Sequence, residues 1–356
     1  MSRPRRFRLD TSPGLRPPQP GRGRKRGKIP DVRRACEPTQ PHLPGGRGQR
    51  SPPWRVKGAG RWQHGPMHTR PGLLTIAHGT RDQRGADEMD ELLEHLRRRL
   101  HAPVGNGWLE EFAEPDVVTA AGRLVEQGVT RMVTVPFLSF GAGHAKTDVP
   151  QGVAELRAAF PEVTVRHGRV LGLHPELFAL ARQRVEAVRS GTISEDEVLL
   201  VTASGSSDPD ANGDLWKAAR FLAEGTGHRW VEAAFAGVTW PTADVVLRRA
   251  VAAGARRVVL FSWSLLAGLL ERRVARWADQ VAQESRIEIL DAGRFGPDPL
   301  VADVVLDRYR EVLEGDPRMN CDLCAYRVPL PGLERRVAAP SAGGRRAAAV
   351  EEGSET

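Results

Sequence analysis

Between Leu73 and about residue 315 the chain alternates short apolar runs with longer stretches in which apolar residues recur every three or four positions. Runs of roughly four to eight apolar residues bounded by turn formers read as strands buried on both faces, and the longer period reads as amphipathic helix. On this basis Leu73–Ala77, Gly107–Phe112, Arg131–Pro136 and 163–167 are predicted strands. The segments 85–101, 115–127 (closed by Gly128), 149–160 and 175–189 are predicted helices. Strands alternating with helices predict parallel βαβ units with helices on both faces of the sheet.

The pattern then repeats. Ala77-His78-Gly79-Thr80 lines up with Ala203-Ser204-Gly205-Ser206 at an offset of 126, which also carries Pro115 onto Pro241, Gly128 onto Gly254 and Arg131 onto Arg257. Several distant anchors that hold one offset predict a duplicated unit: an α/β protein of two tandem halves, each a small parallel sheet flanked by helices, with a cleft between them. The expected boundaries are 67–191 for the first half, 192–315 for the second and 316–356 for a Gly/Ala/Arg-rich tail.

Composition changes the picture mainly at the N-terminus. Residues 1–66 hold 17 Lys and Arg against three acids, for a net charge of +14, together with 12 Pro and 10 Gly. The chain as a whole carries +8, so the remaining 290 residues are mildly acidic, at −6. Such a segment has too little apolar surface to offset its ordering entropy and is expected to be a passive disordered extension, with Met67 the expected start. A basic tail binds nucleic acid weakly by counterion release, which leaves a nucleic-acid partner as the least supported reading. No apolar run approaches the length needed to span a bilayer, no apolar signal core follows the basic start, and three cysteines cannot build a disulfide framework. A cytoplasmic protein is expected.

Candidate chemistry gathers in the first half. His78 follows the first strand, Glu111 ends the second as predicted, and His144 lies in the loop after the third. Parallel sheets bind ligands outside the carboxyl ends of their strands, so all three would converge on one rim. Two imidazoles and a carboxylate suit a divalent first-row metal with open coordination positions, and equally suit proton transfer near neutral pH. At the 126 offset His78 becomes Ser204 and His144 becomes Leu270, and a local match of Phe112 with Phe235 places Ala234 opposite Glu111. A set of polar groups lost together from the duplicate predicts one site per chain.

These residues carry a resemblance. Ala77–Thr80 (AHGT), Leu109–Pro115 (LEEFAEP) and Pro136–Pro150 (PFLSFGAGHAKTDVP) resemble the sirohydrochlorin chelatases, the class II tetrapyrrole chelatases, over about residues 73–335. Gly205–Asp214 (GSSDPDANGD) is similar to the second half of the long, cobalt-associated members. The resemblance implies an enzyme, a lyase of a family that inserts Co(II), Fe(II) or Ni(II) into a modified tetrapyrrole without a nucleotide, with Co(II) insertion into sirohydrochlorin for cobalamin biosynthesis favoured here and Fe(II) insertion for sirohaem the alternative. It implies catalytic and metal-binding roles for His78, Glu111 and His144. Thr80, Arg81, Ser139 and Lys146 flank the histidines and are candidate donors to the substrate's carboxylates. A non-catalytic tetrapyrrole or metal carrier would use the same residues, and a monomer or a homodimer is compatible with a duplicated chain.

Two further motifs are discounted. Asp208-x-Asp210-x-Asn212 begins like a calcium loop but has Ala219 at the twelfth position, so it is read as the cap of a helix over Leu215–Glu224. Cys321-x-x-Cys324 resembles the pair linked to an iron–sulfur centre in some long chelatases, but two thiolates do not complete a cluster, and a plain or redox-active thiol pair is expected.

Overall fold

Burial is complete at Leu73, Leu74 and Ile76, so the first strand has apolar neighbours on both faces. The computed structural model describes residues 70–110 and 113–314, all within the unit Gly58–Thr356. The basic segment 1–66, Glu111, Phe112 and the pair Cys321 and Cys324 lie outside the described residues. The first half runs β1 (Gly72–Ala77), α1 (Gln83–Leu100), β2 (Val104–Trp108), α2 (Val117–Glu126), β3 (Arg131–Phe137), the single turn α3 (Gly143–Lys146), α4 (Asp148–Ala159), β4 (Thr164–His167) and α5 (Pro175–Ala187). The second runs β5 (Glu197–Ala203), α6 (Pro209–Thr226), β6 (Trp230–Phe235), α7 (Ala243–Ala252), β7 (Arg257–Ser262), α8 (Leu269–Ser285), β8 (Glu288–Asp291) and α9 (Pro299–Glu314). Each half holds a four-stranded sheet, ordered β2-β1-β3-β4 and β6-β5-β7-β8, with every pairing parallel.

Two elements differ from the sequence expectation. β2 was expected to run through Phe112 but ends at Trp108, because the next residues leave the ladder. Leu109 N–H donates to the Ala77 carbonyl, Glu110 N–H to the His78 carbonyl, and Ala113 N–H closes a turn on Glu110. The helix expected at Leu215 starts six residues earlier, at Pro209. Asp208 caps it by accepting the Asp210 N–H, and proline suits the first helical position because its missing N–H would have no partner there.

The halves are not independently packed. One apolar cluster joins residues of both sheets, with Leu73, Val133 and Leu177 from the first half and Leu199, Phe261 and Trp263 from the second. Helices cross over: α5 packs on β7, and α9 packs on β3. Tyr309 of α9 donates to the Pro71 carbonyl at 2.6 Å, and buried Arg308 donates to the carbonyls of Val170 and Leu171. Fully burying a large apolar side chain stabilises by about 1.5–3 kcal/mol, so this shared layer commits the halves to fold together. Separate clusters fill the outer face of each sheet under α2 and α4, and under α7 and α8.

Polar ties fix the halves on both sides of the cleft. On one side Asp82 pairs with Arg272 and Glu88 with Arg294, and Glu88 accepts the Ala267 N–H at 2.7 Å. On the other, Lys146 pairs with Asp208 and Asp210 at 2.7 Å. Gly85 permits the closest approach, because a Cβ there would lie 2.4 Å from the Ala267 carbonyl oxygen. These contacts keep the carboxyl ends of both sheets turned to one cleft.

Candidate metal centre

The cleft has a volume of about 610 Å³ and takes its lining from loops that follow strands of both halves. His78 comes directly after β1, and Gly79 then turns the chain at φ +120°, a left-handed conformation that glycine adopts without steric cost. His144 sits in α3, after the loop that leaves β3. The two imidazole rings meet edge to face, with centroids 4.3 Å apart.

Among the described residues, which leave out Glu111, the carboxylate that joins the two imidazoles is Glu110. Its Oε1 lies 3.8 Å from His78 Nε2 and 4.0 Å from His144 Nε2. Among the described residues, His78, Glu110 and His144 offer three ligand atoms within 4.8 Å of one another. Bonds of about 2.0–2.2 Å to a first-row metal separate ligand atoms by up to about 4 Å, so small side-chain rotations would close the triangle on an ion. The three side chains are 33–48% exposed, which leaves the remaining coordination positions facing the cleft.

The surroundings prepare the two imidazoles differently. Asp148, at the start of α4 and 7% exposed, hydrogen-bonds His144 Nδ1 and leaves Nε2 to point at Glu110. That hydrogen bond is the main cause of a raised His144 pKa, opposed by burial. Burial, and then the nearby His144, lower the His78 pKa, so His78 is the neutral nitrogen ligand at pH 7. A carboxylate behind a ligating histidine fixes its orientation and raises its basicity, and losing it typically costs 10–100-fold in metal affinity. Asp148→Asn is accordingly expected to weaken Co(II) binding by about 10–100-fold in an isothermal titration, with secondary structure unchanged by circular dichroism.

The other candidates from the sequence have mixed placements. Arg81 and Ser139 line the cleft. Thr80 also lines it, but its hydroxyl is engaged with the backbone of Asp82 and, at 3.4 Å, with the Ala267 carbonyl across the cleft. Lys146 is held in its ion pairs with Asp208 and Asp210, and so serves as a tie between the halves. Sequence reasoning named neither Glu110 nor Asp148, and the Glu111 it named lies outside the described residues. Glu110 is the neighbour of that residue, and Asp148 had a legible signal in its spacing, four residues after His144.

The duplicate half also needs one correction. Ala77 pairs with Trp108, and Ala203 pairs with Phe235, so Trp108 corresponds to Phe235 and the local offset is 127. The match of Phe112 with Phe235 fails, Ala234 lies inside β6, and Gly237 is the counterpart of Glu110. The offset returns to 126 at Pro115 and Pro241 because the connecting loop of the second half is one residue shorter.

A model of the CbiX family matches residues 72–188 and again residues 198–312. A sirohydrochlorin cobaltochelatase from Priestia megaterium is 33% identical over 265 residues, which cover 73% of this chain and 86% of the relative. A sirohydrochlorin ferrochelatase from the same organism is 26% identical over 218 residues, 61% of this chain and 82% of the relative. The solved structure of SirB from Bacillus subtilis with Fe3+ matches with a TM-score of 0.61 at 24% identity, covering 69% of this chain and 96% of that one, a likeness of fold. The two family matches fall in turn on the two sheets, and on that ground the chain belongs to the CbiX family of sirohydrochlorin chelatases.

Proposed function

We propose that this protein is a sirohydrochlorin metal chelatase, an enzyme that inserts a divalent metal, with Co(II) favoured, into sirohydrochlorin. The observation that carries the reading is the triangle of His78, Glu110 and His144 at a cleft of about 610 Å³ lined by both halves. Metallation exchanges two pyrrole N–H protons for one divalent ion, so the protein must hold the ion on one side, leave its other side open and take up protons. His78 and His144 supply neutral nitrogen once the proton favoured on His144 has left, and the Glu110 carboxylate ligates or accepts a pyrrole proton. A rigid cleft brings ring and ion together in a reactive geometry, which supplies much of the rate. The metal is a substrate here, and the reaction uses no nucleotide.

Cobalt is favoured by the cobaltochelatase relative at 33% identity. Iron insertion is the second reading, favoured by ferrochelatase relatives at 25–26% identity. Nitrogen and oxygen ligands bind Co(II) more tightly than Fe(II), so metal supply weighs on the choice as heavily as the site does. The test is anaerobic incubation of the purified chain with sirohydrochlorin and each metal, without nucleotide, followed by absorbance. Metallation well above the protein-free rate, fastest with Co(II), is expected. Binding of the ring with no gain in rate would make the protein a carrier instead.

A further inference from the structure

The two halves are opposite in charge at one corresponding position. In the first half Glu110 directs a carboxylate toward His78 and His144. Its counterpart Gly237 carries no side chain, and the space is taken by a cation. Arg273 Nη1 lies 3.1 Å from where a Cβ of Gly237 would stand and donates to the Ala236 carbonyl at 3.2 Å. The rest of the metal centre is replaced too, with His144 and Asp148 becoming Leu270 and buried Val274. Among the described residues no carboxylate pairs with Arg273, whereas its neighbour Arg272 is tied to Asp82. One of five guanidinium N–H groups is thus engaged, and the others remain for a planar anion.

The next residue along the same loop is unusual. Val238 has φ +62°, is 73% exposed and lines the cleft. A β-branched residue in this conformation is a backbone outlier, and such strain is kept where it serves a site. Here it holds an apolar side chain out at the cleft, one residue after the Gly237 on which the Arg273 guanidinium packs. A position that presents a carboxylate in one half and a guanidinium in the other is suited to opposite ligands.

We propose that Arg273 is an anion subsite that takes a peripheral carboxylate of the macrocycle, while Val238 meets the ring's apolar edge. This rests on the chelatase reading, which supplies a flat apolar ring bearing carboxylate side chains. The second half, having lost the metal ligands, thereby orients the ring over the ion held by the first.

The test is binding of metal-free sirohydrochlorin to the full chain, followed by quenching of tryptophan fluorescence. Arg273→Gln, which keeps a donor for the Ala236 carbonyl and removes the charge, is expected to raise Kd about ten-fold, the scale of one charge-assisted hydrogen bond. Arg273→Lys should recover part of that loss. Co(II) affinity measured without the ring should be the same in all three proteins. A fully esterified ring should bind wild type and Arg273→Gln alike. Unchanged ring affinity in Arg273→Gln, an equal loss of Co(II) affinity, or a ten-fold loss that persists with the ester would overturn the subsite alone. Failure of the wild type to bind the ring would overturn the chelatase reading and the subsite with it.

Discussion

Replacing His78 or His144 by alanine is expected to lower the rate of metal insertion by roughly 10³-fold, the scale on which positioned ligands and proton acceptors act. Each residue supplies one of three converging ligand atoms, and the remaining pair has no third partner among the described residues. Both side chains stand partly exposed at the edge of the cleft, so unfolding free energy should change by less than about 1 kcal/mol. Urea denaturation beside the rate assay separates a lost ligand from a lost fold. Glu110→Gln should follow the histidine variants, and a larger effect of Glu111→Gln than of Glu110→Gln would move the third ligand back to the adjacent carboxylate. Loss of activity that tracked loss of folded protein would sink the assignment altogether.

The largest expected effect on stability lies far from the chemistry. Glu197, at the start of β5, is fully buried and accepts from Arg189 Nε at 2.5 Å, from His228 Nε2 at 2.9 Å and from Arg257 Nη1 at 3.3 Å. His228 is buried as well, with Nδ1 bonded to the Thr226 hydroxyl at 2.7 Å. Glu197→Ala would leave Arg189 and His228 buried without their carboxylate, and breaking a buried pair in this way costs about 3–5 kcal/mol. Burial acts to raise the Glu197 pKa, but Arg189, Arg257 and His228 outweigh it and hold it below the ordinary value of 4.5. Burial lowers the His228 pKa below 6.5, with Glu197 in partial opposition. Both folded-state values are depressed, so each contribution is complete above its unfolded value and fades as the pH falls. Stability should therefore decline from about pH 6.5 as His228 is driven to charge, and further below about pH 4.5 as Glu197 is protonated. Urea unfolding at about pH 7.5, 5.5 and 3.5 reads both effects, and a penalty below about 1 kcal/mol for Glu197→Ala at about pH 7.5 would show that the cluster adds little.

The parallel α/β halves and the candidate positions His78 and His144 were legible in the chain alone. These features are local or periodic. An apolar run such as Leu73–Ala77 has to be buried on both faces, and a histidine placed directly after it is delivered to the carboxyl edge of the sheet by chain connectivity alone. The approach of Glu110 to the two histidines comes from the tertiary fold. Which way the Glu110 side chain faces depends on where β2 ends, and three hydrogen bonds to Ala77, His78 and Pro115 set that end. The role of Asp148 depends on how α3 meets α4, and the pairing of Lys146 on the approach of the second half. The crossing of α5 and α9 between the sheets and the guanidinium over Gly237 come from residues more than 30 positions apart in the chain. No local pattern encodes such contacts, because they form only when two separately twisted sheets bury their apolar faces in one core.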